Sequence, residues 1–376
     1  MMKSFFRNRV VSPKGIVAAL IVAGMLSLAA PLSAQPADAA APAPLTIDTN
    51  EDVYFRNIPG ASKYAVIITG AAASDEIQAR FRQWSMALHD LLSRDYGYSA
   101  DTITLLSDDG AAFTTEGAEP NFRIDGSSRR EDIESALTTL SEQTNAGDQV
   151  MVIMIGHGSR SDTGIEEDSK FNIVGPDVTG REFARLLDAF NEQDLVVINT
   201  TSASYEFSAA LSAPGRVILS ATRSAAERYD PMFTAYLIDA LDNRQGDRDK
   251  NGRVSVLEAY TYASQSVLGW YRDQGRLPTE RAVLDDNGDA VFSLEPASGA
   301  GDGGLAEIAY VDVPSAGQQK ASPEAQQLFA EMQDLERSVF LLRGQKANYL
   351  EAEYWGRLET LLVELARKTG RYNELP

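Results

Sequence analysis

Two short apolar runs, Gln149–Ile155 and Leu195–Ile198, constrain the architecture of this chain more than any other stretch. Both are rich in β-branched residues and bounded by turn formers, the pattern of strands buried on both faces of a parallel sheet. The first runs into Gly156-His157-Gly158-Ser159 and the second into Asn199-Thr200-Thr201-Ser202-Ala203-Ser204. In open α/β sheets, chemistry gathers in the loops past the carboxyl ends of neighbouring strands. A histidine between glycines, opposite a hydroxyl-rich turn, is the form a nucleophile-and-base pair takes.

The rest of the chain alternates in the same way. Tyr64–Ile68, Thr102–Leu106 and Arg216–Ser220 read as further strands. Between them, Ser74–Arg94 carries Ile77, Phe81, Trp84, Leu88 and Leu91 at helical spacing, with His89 read as a surface or capping residue. Ser127-Ser128-Arg129-Arg130-Glu131 opens a second helix with a hydroxyl N-cap, and Thr179–Phe190 is a third. The polar residues 159–172 suit an exposed loop. Helix following strand throughout predicts a doubly wound, mostly parallel α/β sheet.

From Tyr64 to Asp289 this order resembles the legumain/caspase-like clan of cysteine peptidases, in its bacterial legumain-like branch. In that family one strand ends in a His-Gly pair, matched by His157-Gly158, and a later strand ends in a polar turn carrying the nucleophilic cysteine. Thr201 occupies that position, followed by Ser202, and the chain contains no cysteine. The resemblance implies a caspase/legumain-like sheet and a substrate site approached by Ser128 and Arg129, unless these are solvated. It also places Arg223 and Glu227 near the substrate pocket, with a structural ion pair as the other reading.

Lys3, Arg7, Arg9 and Lys14, the apolar stretch Gly15–Ala30 and Pro31-Leu32-Ser33-Ala34 form the basic, apolar and small-residue regions of a signal peptide, residues 1–34. The alternative is an uncleaved membrane anchor. Either predicts export, periplasmic or secreted, and the lack of cysteine excludes disulfides. Removing four basic and no acidic side chains moves the formal charge from −20 to −24. Such acidity disfavours nucleic acid and favours cations or basic partners.

After an Ala/Pro-rich linker (35–50), the α/β domain is predicted over 51–295 and contains an EF-hand-like loop at 247–258. Asp247, Asp249, Asn251, Ser255 and Glu258 put oxygens at loop positions 1, 3, 5, 9 and 12; Arg253 offers its carbonyl, and Gly252 stands at the sharp turn. Oxygen donors in this order predict Ca2+. The second acidic turn, Asp285-Asp286-Asn287-Gly288-Asp289, lacks the terminal glutamate and reads as a tight turn or an accessory contact to the first. A linker (296–322), with an edge strand at Ala309–Val313, leads to a helical hairpin at 323–371. There Leu328, Met332, Leu335, Val339 and Leu342 take coiled-coil spacing.

Two functions follow. In the first, the missing thiol makes the protein a calcium-binding pseudopeptidase, a binding or scaffold module for a peptide or protein partner, with self-association through the C-terminal helices. In the second it is a peptidase-like hydrolase using the hydroxyl of Thr201, Ser202 or Ser204 with His157 as base.

Overall fold

The computed structural model describes residue 55 and residues 61–111, 123–250, 252–297, 301–313 and 322–375. The signal segment, the 35–50 linker and Asn251 lie outside the described residues.

β1 (Lys63–Thr69) leads into α1 (Asp75–Asp95), which Ser74 caps by accepting from Ile77 N at 3.4 Å. β2 (Ile103–Ser107), α2 (Arg130–Gln143) and β3 (Gln149–Ile155) follow. Three two-residue strands come next: β4 (Gly158–Ser159), β5 (Lys170–Phe171) and β6 (Val178–Thr179). α3 (Gly180–Leu187), β7 (Asp194–Asn199), α4 (Tyr205–Ala209) and β8 (Arg216–Ser220) continue the alternation. α5 (Phe233–Leu241), α6 (Val256–Asp273) and β9 (Val283–Asp285) complete the sheet layer. α7 (Gly304–Ile308), α8 (Pro323–Gly344) and α9 (Glu351–Glu374) form the tail.

The main sheet has the order β2-β1-β3-β7-β8-β9, parallel except for β9, which runs antiparallel to β8. This is the mixed α/β, mostly parallel sheet that the strand pattern predicts. Side chains alternate across it. Ile67, Met151, Ile153, Val196, Ile198 and Leu219 pack under α1, α5 and α6. Val66, Ile68, Val152, Met154, Val197 and Ile218 pack against α2, α3 and α4. Continuous apolar strands are thus accounted for by cover on both faces.

Several local readings change. His89 is buried in α1, not at the surface, and burial pushes its imidazole pKa down. α2 starts one residue past Arg129, so no hydroxyl caps it; Asp132 reaches back to Ser127 N at 2.8 Å and to Ser127 Oγ at 2.5 Å instead. These bonds hold the Asp132 carboxyl below the usual range. The 159–172 loop carries β5, whose buried Phe171 is an apolar anchor between polar neighbours. The second acidic turn serves α7 and not the 247–258 loop: Asp286 accepts from Gly303 N and Ala306 N, each at 2.8 Å, and so caps that helix.

Where it is described, the 296–322 linker is packed. Leu305, Ala306, Ala309 and Val311 are buried, and Tyr310 bridges antiparallel to Ser255 as the only pairing of the expected edge strand among the described residues. α8 and α9 pack through Leu335, Val339, Leu342, Tyr354, Leu358 and Leu361. α8 also rests on the α/β body. Phe340 joins the core over Gly304, where a Cβ would sit 2.9 Å from its ring, and Arg343 pairs with Glu307 at 2.7 Å. Deleting residues 322–376 should leave cooperative melting, because most hairpin burial is internal, but lower the midpoint through loss of the Phe340 contact, about 2 kcal/mol. Calorimetry checks this; a broad, non-cooperative transition would make the hairpin part of the core.

Candidate functional site

β3 and β7 lie side by side in the sheet, so their carboxyl-end loops share one crevice. Gly156 takes φ 154°, and a Cβ on Gly158 would lie 2.4 Å from Ser202 O. Glycine at 158 therefore lets the histidine loop press against the hydroxyl turn.

The turn is knitted to itself and to the sheet. Asn199 Oδ1 accepts from Thr201 N at 3.1 Å and from Thr201 Oγ1 at 2.7 Å. Thr200 Oγ1 donates to Met154 O at 2.7 Å. Ser204 Oγ lies 2.8 Å from Ser220 Oγ and 3.0 Å from Thr222 Oγ1. Thr201 and Ser202 are each 1% exposed. The hydroxyl that faces the imidazole belongs to Ser202, with Oγ 3.5 Å from His157 Nδ1, while Thr201 points to Asn199 and Ser204 to the end of β8.

Asp230, in the loop before α5, places Oδ1 3.3 Å from the same His157 Nδ1 and Oδ2 2.5 Å from Arg80 Nη2. His157 Nε2 is buried without a hydrogen-bond partner, and the ring meets Phe81 edge-on, centroids 5.2 Å apart. Arg80 and Asp230 were not legible as site residues. The one local hint is an acidic residue directly before Pro231 in a loop past a strand's carboxyl end.

The expected substrate residues separate. Ser128 is buried and donates through Oγ to Asp108 O at 3.2 Å, facing the protein body. Arg129 is exposed, and its neighbour Arg130 is tied to Glu182 at 2.7 Å. Arg223 Nε pairs with Glu227 Oε1 at 3.1 Å, and Glu227 Oε2 also accepts from Arg223 N and Arg281 N, each at 3.0 Å. Glu227 O accepts from Ala203 N at 2.9 Å, so this acid braces the hydroxyl turn, where Ala203 takes φ 49°.

The second site lies between α5 and α6. Carboxylate oxygens of Asp247, Asp249 and Glu258 come within 4.8 Å of one another. Gly252 takes φ 83° and donates to Asp247 Oδ2 at 3.1 Å. Glu258 Oε1 accepts from Arg248 N at 2.9 Å and Asp249 N at 3.3 Å; its Oε2 accepts from Ser255 N at 2.9 Å and Ser255 Oγ at 3.1 Å. Glu258 is thus both the last loop donor and the capping-box acid of α6. Arg253 turns away, stacking on Tyr310 with its guanidinium carbon 3.6 Å from the ring centroid, and burial lowers its pKa. An all-oxygen, carboxylate-rich donor set fits a hard divalent cation.

No family model matches the chain, and no curated protein matches it. Among solved structures it is similar to the crystal structure of protein GSU0716 from Geobacter sulfurreducens. The two are 14% identical with a TM-score of 0.38, over 60% of this chain and 92% of that one. That likeness is too remote to carry residues across.

Proposed function

We propose that the protein is a calcium-binding pseudopeptidase of legumain/caspase-like type, an exported binding or scaffold module for a peptide or protein partner. The observation that carries this reading is that Asp230 and Ser202 both meet Nδ1 of His157, while Nε2 is buried without a partner. A working triad uses the two ring nitrogens separately, one turned to the acid and one to the nucleophile. A single Nδ1 cannot donate to Asp230 and accept from Ser202 at once. Gly158 N, which would serve as an oxyanion donor, is directed at Ser202 Oγ at 3.4 Å. The parallel sheet with an antiparallel edge strand agrees with the caspase-like type, and the loop between α5 and α6 with an EF-hand-like insertion. Trp355, Leu362 and Val363, exposed on α9, suit self-association. Export rests on the character of residues 1–34.

In this reading His157, with Asp230, Arg80 and Ser202, locks the crevice shut, and the partner binds without being cut. When bound, calcium supplies charge neutralisation between the loop carboxylates. Asp247, Asp249 and Glu258 would hold it, with Ser255 and the carbonyl of Arg253, and the helix pair is thereby fixed.

The Ser202–His157 contact is the one observation favouring a hydrolase, and one experiment separates the two. The wild type is incubated with a peptide library with and without calcium, and Thr201→Cys and Ser202→Cys are exposed to a peptidyl electrophile. No turnover is expected. Both introduced thiols should label at least about tenfold more slowly in the native protein than in denaturant, because labelling requires local opening. Wild-type hydrolysis lost in Ser202→Ala, or fast native labelling that His157→Ala abolishes, would establish the hydrolase instead.

A further inference from the structure

A cleft of about 480 Å³ lies between α5, α6 and the chain on either side of β9, apart from the histidine crevice and the acidic loop. Its walls include Phe233, Tyr260, Val267, Leu268 and Leu294. The volume lies within the range of about 300–1,000 Å³ typical of small-molecule sites. Leu268 and Leu294 are each 43% exposed, apolar surface that a ligand would remove from water.

The polar groups of the cleft carry both signs. Arg281 and Glu295 line it, and neither side chain makes an ion pair among the described residues. Arg281 is held in place by its backbone, which donates to Glu227 Oε2 at 3.0 Å. Glu280 also lines the cleft, but its carboxyl is already engaged by Met232 N at 2.8 Å, Phe233 N at 3.1 Å and Tyr271 OH at 3.2 Å. Burial pushes its pKa up to about 7, so near neutrality it carries only about half of a negative charge.

We infer that this cleft binds a small apolar zwitterion of dipeptide size, its carboxylate at Arg281, its ammonium group at Glu295 and its side chains on Phe233, Val267, Leu268 and Leu294. Unpaired charges of opposite sign beside an apolar wall match a ligand with two charged ends and an apolar middle. A fatty acid would leave Glu295 unanswered, and an alkylamine would leave Arg281 so. The volume of about 480 Å³ limits the length. This site stands independently of the pseudopeptidase reading.

Isothermal titration of the purified full chain with leucyl-leucine tests it, beside N-acetyl-leucyl-leucine amide and decanoate. The free dipeptide should bind best. Arg281→Ala and Glu295→Ala should each weaken it by about fivefold, the range of a partly exposed ion pair. Leu268→Asp should remove binding, with far-ultraviolet dichroism unchanged in all three variants. The inference is overturned if the dipeptide gives neither heat nor amide shifts in the NMR spectrum at millimolar concentration. It is equally overturned if the blocked dipeptide or decanoate binds as tightly, or if both charge variants bind like wild type.

Discussion

Raising the pH from about 7 to about 10 should stabilise this protein, by as much as ~4 kcal/mol, and Lys63→Met should abolish most of that rise. Lys63 opens β1 at the amino edge of the sheet and is 4% exposed. Its Nζ donates to Gln149 Oε1 at 2.9 Å and to Tyr310 O. Burial, with a smaller push from Arg253, lowers its pKa from the ordinary 10.5 to about 7. Between those values the unfolded chain holds a proton that the folded chain does not, so stability climbs with pH. Below about pH 7 both states are charged and the full desolvation cost remains; above about 10.5 both are neutral and it is gone. A tenfold difference in proton affinity is worth about 1.4 kcal/mol, and the roughly thousandfold fall in proton activity across this window sets the upper figure. Methionine keeps the length without the charge. Tyr310 O keeps a donor after the substitution, because Gln149 Nε2 also reaches it at 3.2 Å. The variant should therefore be at least as stable as wild type near pH 7. Urea midpoints across the window measure this, and a wild-type slope that survives in Lys63→Met would refute the assignment.

The measurement belongs above pH 7 because other buried acids act below it. Glu280, near 7, and Asp302, raised to about 6 chiefly by burial, keep protons in the folded state that the unfolded chain releases. Their effect is opposite in sign: stability falls as pH rises from the ordinary carboxylate range towards 7.

Calcium should raise the melting temperature of the wild type, and Glu258→Gln should remove that increase. A ligand bound only to the folded state at a hundredfold excess over its Kd contributes about 2.7 kcal/mol. For a chain of this size, with an unfolding entropy of about 2.1 cal/mol/K per residue, that is roughly 3–4 °C. Glu258 also accepts four hydrogen bonds within the loop and the α6 cap. Glutamine replaces one acceptor oxygen by a donor, so the variant should melt lower even in chelator, by about 1–2 kcal/mol. The two effects separate cleanly: chelator reads the cap, and the calcium increment reads the metal. Identical wild-type melting curves in millimolar calcium and in chelator would discard the calcium reading and leave Glu258 as a cap.

What the sequence determined by itself was what depends on local pattern. Continuous β-branched runs imposed strands covered on both faces, and helical spacing over Phe81, Leu88 and Leu91 imposed the helix between them. The helix expected over Thr179–Phe190 forms, its start at Gly180 set by a capping box of Thr179 with Glu182. The convergence of Asp247, Asp249 and Glu258 was legible too, because twelve consecutive residues carry its whole geometry. Tertiary structure alone decided everything that joins distant segments. Asp230 and Arg80 reach His157 from a loop and a helix well separated from it in sequence, and no periodicity links them. Thr201 and Ser202 are adjacent hydroxyls that local pattern cannot tell apart. Only the register of β3 against β7, with Gly158 pressed on Ser202 O, turns one to Asn199 and the other to the imidazole. Lys63 lies just outside the strand read at Tyr64–Ile68, and only the packed chain closes Gln149 and Tyr310 over it, for burial is a property of the packed chain and not of neighbours in sequence.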